Sequence, residues 1–148
     1  MFELQHILVS ILPIEDHKFS WFWFAGSLIP DVDHLFVLYR HKIFSWNRMM
    51  EVMKFEDKYN IHFKTKYMHS LFGAVLLSVP VWLVNRRGGM YFFLAYIVHL
   101  FMDWPDRDEK QYFYPFKYKI RGWLPILSKW EILFALVLLG LNIFLFAT

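Results

Sequence analysis

Three apolar runs of this chain carry ionisable side chains in their interiors, and that placement restricts the available folds more than any other feature. "GSLIPDVDHLF" (residues 26–36) sets Asp31, Asp33 and His34 among aliphatic and aromatic residues; "MHS" (68–70) opens a second run with His69; "YIVHLFMD" (96–103) closes a third with His99 and Asp103. Burying such groups singly costs on the order of several kcal/mol apiece. A workable fold therefore has to bring the three runs together, so that the groups satisfy one another or share a cation.

The runs themselves read as helices. Hydrophobic residues make up 57% of the 148, aromatics 22%, and the mean hydropathy is +0.32, against roughly 45–50% apolar in ordinary soluble domains. The last run, "WEILFALVLLGLNIFLFAT", continues for seventeen residues after Glu131 with Asn142 as its one strongly polar interruption. It would cover about 26 Å with Lys129 and Trp130 as interfacial anchors, which predicts a transmembrane helix. Met68–Val84 and Tyr91–Asp103 flank "NRRGG", whose glycines stop a helix, and together they predict a helical hairpin with a kink at Pro80. Phe19–Tyr39 is broken at Pro30, which suits the first turn of a new helix continuing through Asp31. Arg40–Tyr67 carries seven Lys or Arg and three Asp or Glu, the pattern of an amphipathic, interface-lying stretch. With no repeat and no sustained strand alternation, the expectation is one all-α domain over 1–148, a membrane-embedded helical bundle with a central hairpin.

The opening "MFELQHILVSILP" lacks the basic region and small-residue cleavage site of a secretory signal and reads as mature protein. Without cysteine, a metal site has to be built from His, Asp or Glu. A net charge of +3 suits an anionic bilayer surface, and membrane lipid is the expected partner, with no specific nucleic acid. Basic residues in Arg40–Tyr67 and after Asp103 outweigh Arg86 and Arg87, which places both segments on the cytoplasmic side.

His99 and Asp103 are four apart, so on a helix they share a face and can reach one ion. A hydrogen-bonded core histidine followed by a capping carboxylate has the same spacing; a carboxylate at the negative end of a helix dipole is better explained by a nearby cation. His69 lies eighteen residues before the turn at Arg87 and Asp103 sixteen after it, so an antiparallel hairpin sets "MHS" opposite "HLFMD" within about 3 Å of register. Asp31 and His34, three apart, share a face, while Asp33 points elsewhere; both carboxylates also suit a helix N-terminus in their own right. His6 completes the candidates. His17, His41 and His62 read as solvated, Tyr112–Phe116 ("YFYPF") as an interfacial aromatic belt, and Ser70 as a hydrogen-bonding neighbour of His69.

This order of motifs, an early His6, "GSLIPDVDH", "MHS", "HLFMD" and "YPF", resembles the YdjM-type family of bacterial inner-membrane proteins, predicted metal-dependent hydrolases. It is also distantly similar to zinc-dependent phospholipase C. That second resemblance implies that Asp31, His69, His99 and Asp103 surround one metal and that His6 with Asp103 contributes to another. No histidine follows His99, so a full trinuclear cluster is not expected. The implied chemistry is hydrolysis of a phosphoester at the membrane surface with one or two zinc ions, manganese or iron being the alternatives. Asp33 or His34 would take a proton from the attacking water, and Lys64 or Lys66 would attract an anionic substrate. The competing reading is a non-catalytic membrane protein whose metal site is structural and whose basic loop meets lipid or a protein.

Overall fold

The computed structural model describes residues 3–11, 17–124 and 128–147, and it is predominantly helical. In chain order the helices are α1 (Glu3–Ser10), α2 (Ser20–Leu28), α3 (Val32–Arg40), α4 (Trp46–Lys54), α5 (Glu56–Tyr59), α6 (Leu71–Val84), α7 (Arg86–Asp103) and α8 (Lys129–Ala147). Contrary to the all-helical expectation, two short strands, β1 (Glu109–Lys110) and β2 (Ile120–Arg121), pair antiparallel with Glu109 opposite Arg121.

The predicted hairpin is α6 and α7, but its turn is made differently. Asn85 ends α6 and caps α7, its side chain accepting from the Gly88 N–H at 2.9 Å. The two glycines that were expected to stop a helix instead lie inside the first turns of α7. A Cβ on Gly89 would come 2.4 Å from Trp82 Cα, so the glycine is there to let the two arms close together. At the other end Ser70 caps α6 by accepting from the Gly73 N–H at 3.2 Å. His69 thus precedes its helix and does not start it. α6 runs on through Pro80 to Val84.

Pro30 lies in a tight 3-10 turn, Ile29–Asp31, that joins α2 to α3, close to the predicted break. α2 and α6 both pack along α7, around Ala74, Phe92, Tyr96, Leu100 and Tyr112. A Cβ on Gly26 would sit 2.3 Å from the Phe92 carbonyl oxygen, so α2 can approach α7 this closely only with glycine there. Gly26→Ala forces one backbone away from the other, and overpacking of this kind costs about 1–3 kcal/mol. Urea unfolding in detergent is expected to show that loss; unchanged stability would mean the contact imposes no constraint.

The basic segment is more than an interfacial strip. Val52 and Met53 of α4 close a small core with Val37, Ile43 and Phe63, while Phe44 and Trp46 remain exposed.

The expected transmembrane helix requires correction. Among the described residues no helix is long and apolar enough to cross a membrane. α8 begins at Lys129 and has Glu131 buried in its first turn, so its apolar part starts at Ile132 and ends with the helix at Ala147. Sixteen residues rise about 24 Å, short of a roughly 30 Å hydrocarbon layer. One face of α8, with Ala135, Leu138 and Asn142, is committed to α1, where the Asn142 amide donates to the Leu8 carbonyl at 3.1 Å.

Candidate metal centre

Four donor atoms from three parts of the chain meet at the C-terminal end of α7. His99 and Asp103 stand one turn apart on that helix, His69 comes from the segment before α6, and Asp31 from the turn before α3. His69 Nε2 lies 3.3 Å from Asp103 Oδ2 and 3.8 Å from Asp31 Oδ1; His99 Nε2 lies 3.5 Å and 3.6 Å from the same two oxygens. Ligands about 2.0–2.1 Å from one ion at tetrahedral corners stand roughly 3.3–3.4 Å from each other, so each of these four separations suits a pair of ligands on one cation. Both Nε2 atoms and Asp31 Oδ1 are buried without a hydrogen-bond partner. Buried polar atoms are seldom left so, and here they face one another.

The rings are oriented for this task. His99 Nδ1–H donates to the Ser27 carbonyl at 2.7 Å, and because a carbonyl can only accept, the lone pair is left on Nε2. His69 Nδ1–H donates to Asp33 Oδ2 at 3.1 Å, an oxygen that also accepts the Thr65 N–H at 2.8 Å. Backbone and carboxylate partners of this kind fix the tautomer of a ligating imidazole. Asp33→Asn weakens the grip on His69, and metal affinity is expected to fall 10–100-fold. Competition against a fluorescent chelator measures it; a change of less than twofold would remove Asp33 from the assembly.

His34 is buried against this centre, its ring stacked on His69 with centroids 5.5 Å apart, Nδ1 3.7 Å from Asp31 Oδ1 and Nε2 3.8 Å from Asp33 Oδ1. His6 stacks on His99 at 3.9 Å, and its Nε2–H donates to Asp103 Oδ1 at 3.2 Å. Burial, and then the neighbouring His99, lower the His6 pKa to about 4, leaving a neutral ring. Three triads have donor atoms close enough to hold an ion: His6, Asp31 and His99; Asp31, His34 and His69; and His69, His99 and Asp103. All seven candidates from the sequence therefore converge on one place.

The electrostatics ask for positive charge there. Burial opposes charge on His69, yet the carboxylates of Asp103, Asp31 and Asp33 beside its ring hold its pKa well above the usual imidazole value. Asp103 is likewise disfavoured as an anion by burial, but Lys64, His6 and His69 hold its carboxyl well below the carboxylate range.

Lys64 does not reach towards substrate as expected. Its side chain is 7% exposed and its Nζ lies 2.8 Å from Asp103 Oδ1, 2.6 Å from Asp106 Oδ2 and 3.5 Å from Asp108 Oδ2. Lys110 Nζ in turn lies 2.9 Å from Asp108 Oδ1. Lys66 stays exposed, its ammonium over the rings of Tyr67 and Tyr114.

Glu56, 11% exposed, borders this group. Burial and the charge on Asp108 raise its pKa from 4.5 to about 7. A raised carboxyl pKa gives stability that is complete below the unfolded value near 4.5 and is lost as pH climbs through about 7. Denaturation at pH 5 and pH 8 is expected to differ by up to about 3 kcal/mol from this group, and Glu56→Gln to remove that component.

Several other expectations are refined. Ser70 caps α6 and donates to the Tyr67 carbonyl at 3.1 Å, so it holds the segment carrying His69 and makes no bond to that ring. Tyr112 of the aromatic cluster is buried, donating to the Leu100 carbonyl at 2.9 Å, while Phe113 and Phe116 are exposed. His17, His41 and His62 lie at the surface. Ser27, Asp106, Asp108 and Lys110 had no signal in the sequence beyond their residue types.

Fold and centre together define a helical protein whose His/Asp groups can hold a metal ion. Over residues 6–148 the sequence matches the family model described as YdjM inner membrane protein, and the chain belongs to that family. Comparison with curated proteins and with solved structures gives no match.

Proposed function

We propose that the chain is a metal-dependent hydrolase of the inner membrane, acting on a phosphoester from the cytoplasmic face. The observation that carries this reading is the convergence of Asp31, His69, His99 and Asp103 at cation-sharing distances, with both rings oriented from behind. A bound divalent cation, zinc in the first instance and manganese or iron otherwise, supplies Lewis acidity that acidifies water and polarises a phosphoryl oxygen.

The residues divide the remaining work. Asp33 has one oxygen committed to His69 and Thr65, so its role is orientation, and His34 becomes the acceptor for the proton of the attacking water. Asp31 is the most open of the four donors at 14% exposed, so substrate reaches the centre on its side. Leu35, 67% exposed, follows Asp31 by one turn and shares its face, which suits an acyl chain beside the headgroup. Exposed apolar residues on α6 (Leu76, Val79, Leu83) and α8 (Leu133, Leu136, Val137) give the bilayer a surface to hold. A cavity of about 760 Å³ has Lys54, Lys58, Arg107 and Arg121 in its lining against Glu56 and Asp108, with Phe55 and Trp123, so basic side chains outnumber acidic ones where an anionic headgroup would rest.

The second reading, a structural metal, has this support: beside the triad of His69, His99 and Asp103, Asp31 Oδ1 lies 3.8 Å and 3.6 Å from the two ring nitrogens, and a fourth protein ligand there would close a zinc shell. Metal analysis of wild type and His99→Ala, followed by assays on phosphodiester and phospholipid substrates, separates the two. The hydrolase reading expects bound metal and turnover in wild type, neither in His99→Ala, and retained metal with turnover reduced 10²–10⁴-fold in His34→Gln. Bound metal without turnover across the panel leaves the structural reading standing.

A further inference from the structure

Asp103 turns its two oxygens to two different sets of neighbours. Oδ2 faces the Nε2 atoms of His69 and His99, at 3.3 Å and 3.5 Å. Oδ1 faces away from them, to Lys64 Nζ at 2.8 Å and His6 Nε2 at 3.2 Å. A carboxylate placed in this way bridges two cation positions, and the second is filled by a side chain.

We infer that Lys64 is a resident cation standing where a second metal ion would otherwise bind, so that the chain takes a single divalent ion although its donors are arranged for two. This rests on the metal-centre reading above. The donors around the Lys64 ammonium are those of a hard divalent site: Asp103 Oδ1, Asp106 Oδ2 at 2.6 Å and Asp108 Oδ2 at 3.5 Å, with His6 on the shared oxygen. Among the described residues, Lys110, 2.9 Å from Asp108 Oδ1, adds a second positive charge beside these carboxylates. The two lysines thus carry between them the charge of a divalent ion. Lysine suits the position because it is a compact point charge with three donors on a stem that tolerates burial.

The connection also explains the path of the chain before α6. The same short segment delivers Lys64 to one oxygen of Asp103 and His69 to the other, and the Thr65 N–H between them anchors Asp33. Lys64 is therefore a positioning residue: it fixes the face that Asp103 offers to the metal and draws charge from that carboxylate. It does not touch substrate.

The test is metal stoichiometry of the full-length protein in detergent, equilibrated with Zn²⁺ and separately with Mn²⁺. Wild type is expected to hold one equivalent and to give the electron paramagnetic resonance spectrum of an isolated Mn²⁺ ion. Lys64→Ala is expected to hold two equivalents, with an exchange-coupled Mn²⁺ pair, and Lys64→Arg to remain at one. Adding Asp106→Asn to Lys64→Ala is expected to remove the second equivalent alone. Two equivalents or a coupled pair in wild type overturns the inference, as does a folded Lys64→Ala still holding one. Should Lys64→Ala fail to fold, Lys64→Ser leaves the position open and polar, removes the charge and carries the same expectation. Wild type holding no metal would sink the metal-centre reading itself, a result distinct from either of these.

Discussion

Asp103→Ala is expected to lose the metal and to destabilise the protein by about 3–5 kcal/mol, the cost of removing one partner from a buried ion pair. The fully buried carboxylate serves His6, His69, His99 and Lys64 at once, and without it the Lys64 ammonium is left among fewer compensating charges inside the protein. That loss is a large part of the roughly 5–15 kcal/mol that holds a domain of this size together. Asp103→Asn keeps the shape and loses the charge, so it separates packing from electrostatics. Combining Lys64→Met with Asp103→Ala is expected to cost less than the two single changes added together, because both break the same ion pair; such coupling is what a double-mutant cycle measures. Chemical denaturation of wild type, Asp103→Ala, Asp103→Asn, Lys64→Met and the double variant provides the check, and a loss below about 1 kcal/mol in Asp103→Ala would show that Asp103 is not the hub described.

Much of the centre was legible because helical periodicity carries it. The four-residue spacing of His99 and Asp103 and the hairpin register of His69 each follow from a fixed rise per residue, and the structure sets these groups side by side. The break at Pro30 was legible for a similar reason, since proline fixes its own backbone and falls where α2 gives way to α3. Asp106 and Asp108 escaped because they follow the end of α7, where no periodicity says which way a side chain turns. Lys64 read as a lysine that would attract an anionic substrate; its burial depends on partners forty residues away, and composition cannot see them. Ser27 acts through its backbone carbonyl, which every residue possesses. The glycines after Asn85 were assigned to a stop because glycine ends helices in general, whereas here close packing against Trp82 claims Gly89. For α8, counting apolar residues along the chain treats all sides of the helix alike, and one of those sides is spent on α1.

Removal of the metal is the second large effect. An ion that binds the folded chain alone stabilises it by RT ln(1 + [M]/Kd), about 4 kcal/mol when free metal exceeds Kd a thousandfold. For a chain of this size that corresponds to a fall in Tm on the order of 10 °C on chelation. The effect is expected to be large because the donors come from the turn before α3, the segment before α6 and the end of α7, so a shared ion ties together pieces that loop closure would otherwise have to hold. Readdition of zinc is expected to restore the transition. His69→Ala and His99→Ala are expected to melt at one temperature with or without chelator, whereas His34→Gln is expected to keep most of the shift, because the triad of His69, His99 and Asp103 does not include it. If chelation leaves wild type unmoved while metal analysis shows an ion bound, the ion lies elsewhere, and the convergence of Asp31, His69, His99 and Asp103 is a buried hydrogen-bonding cluster that a proton alone can hold together.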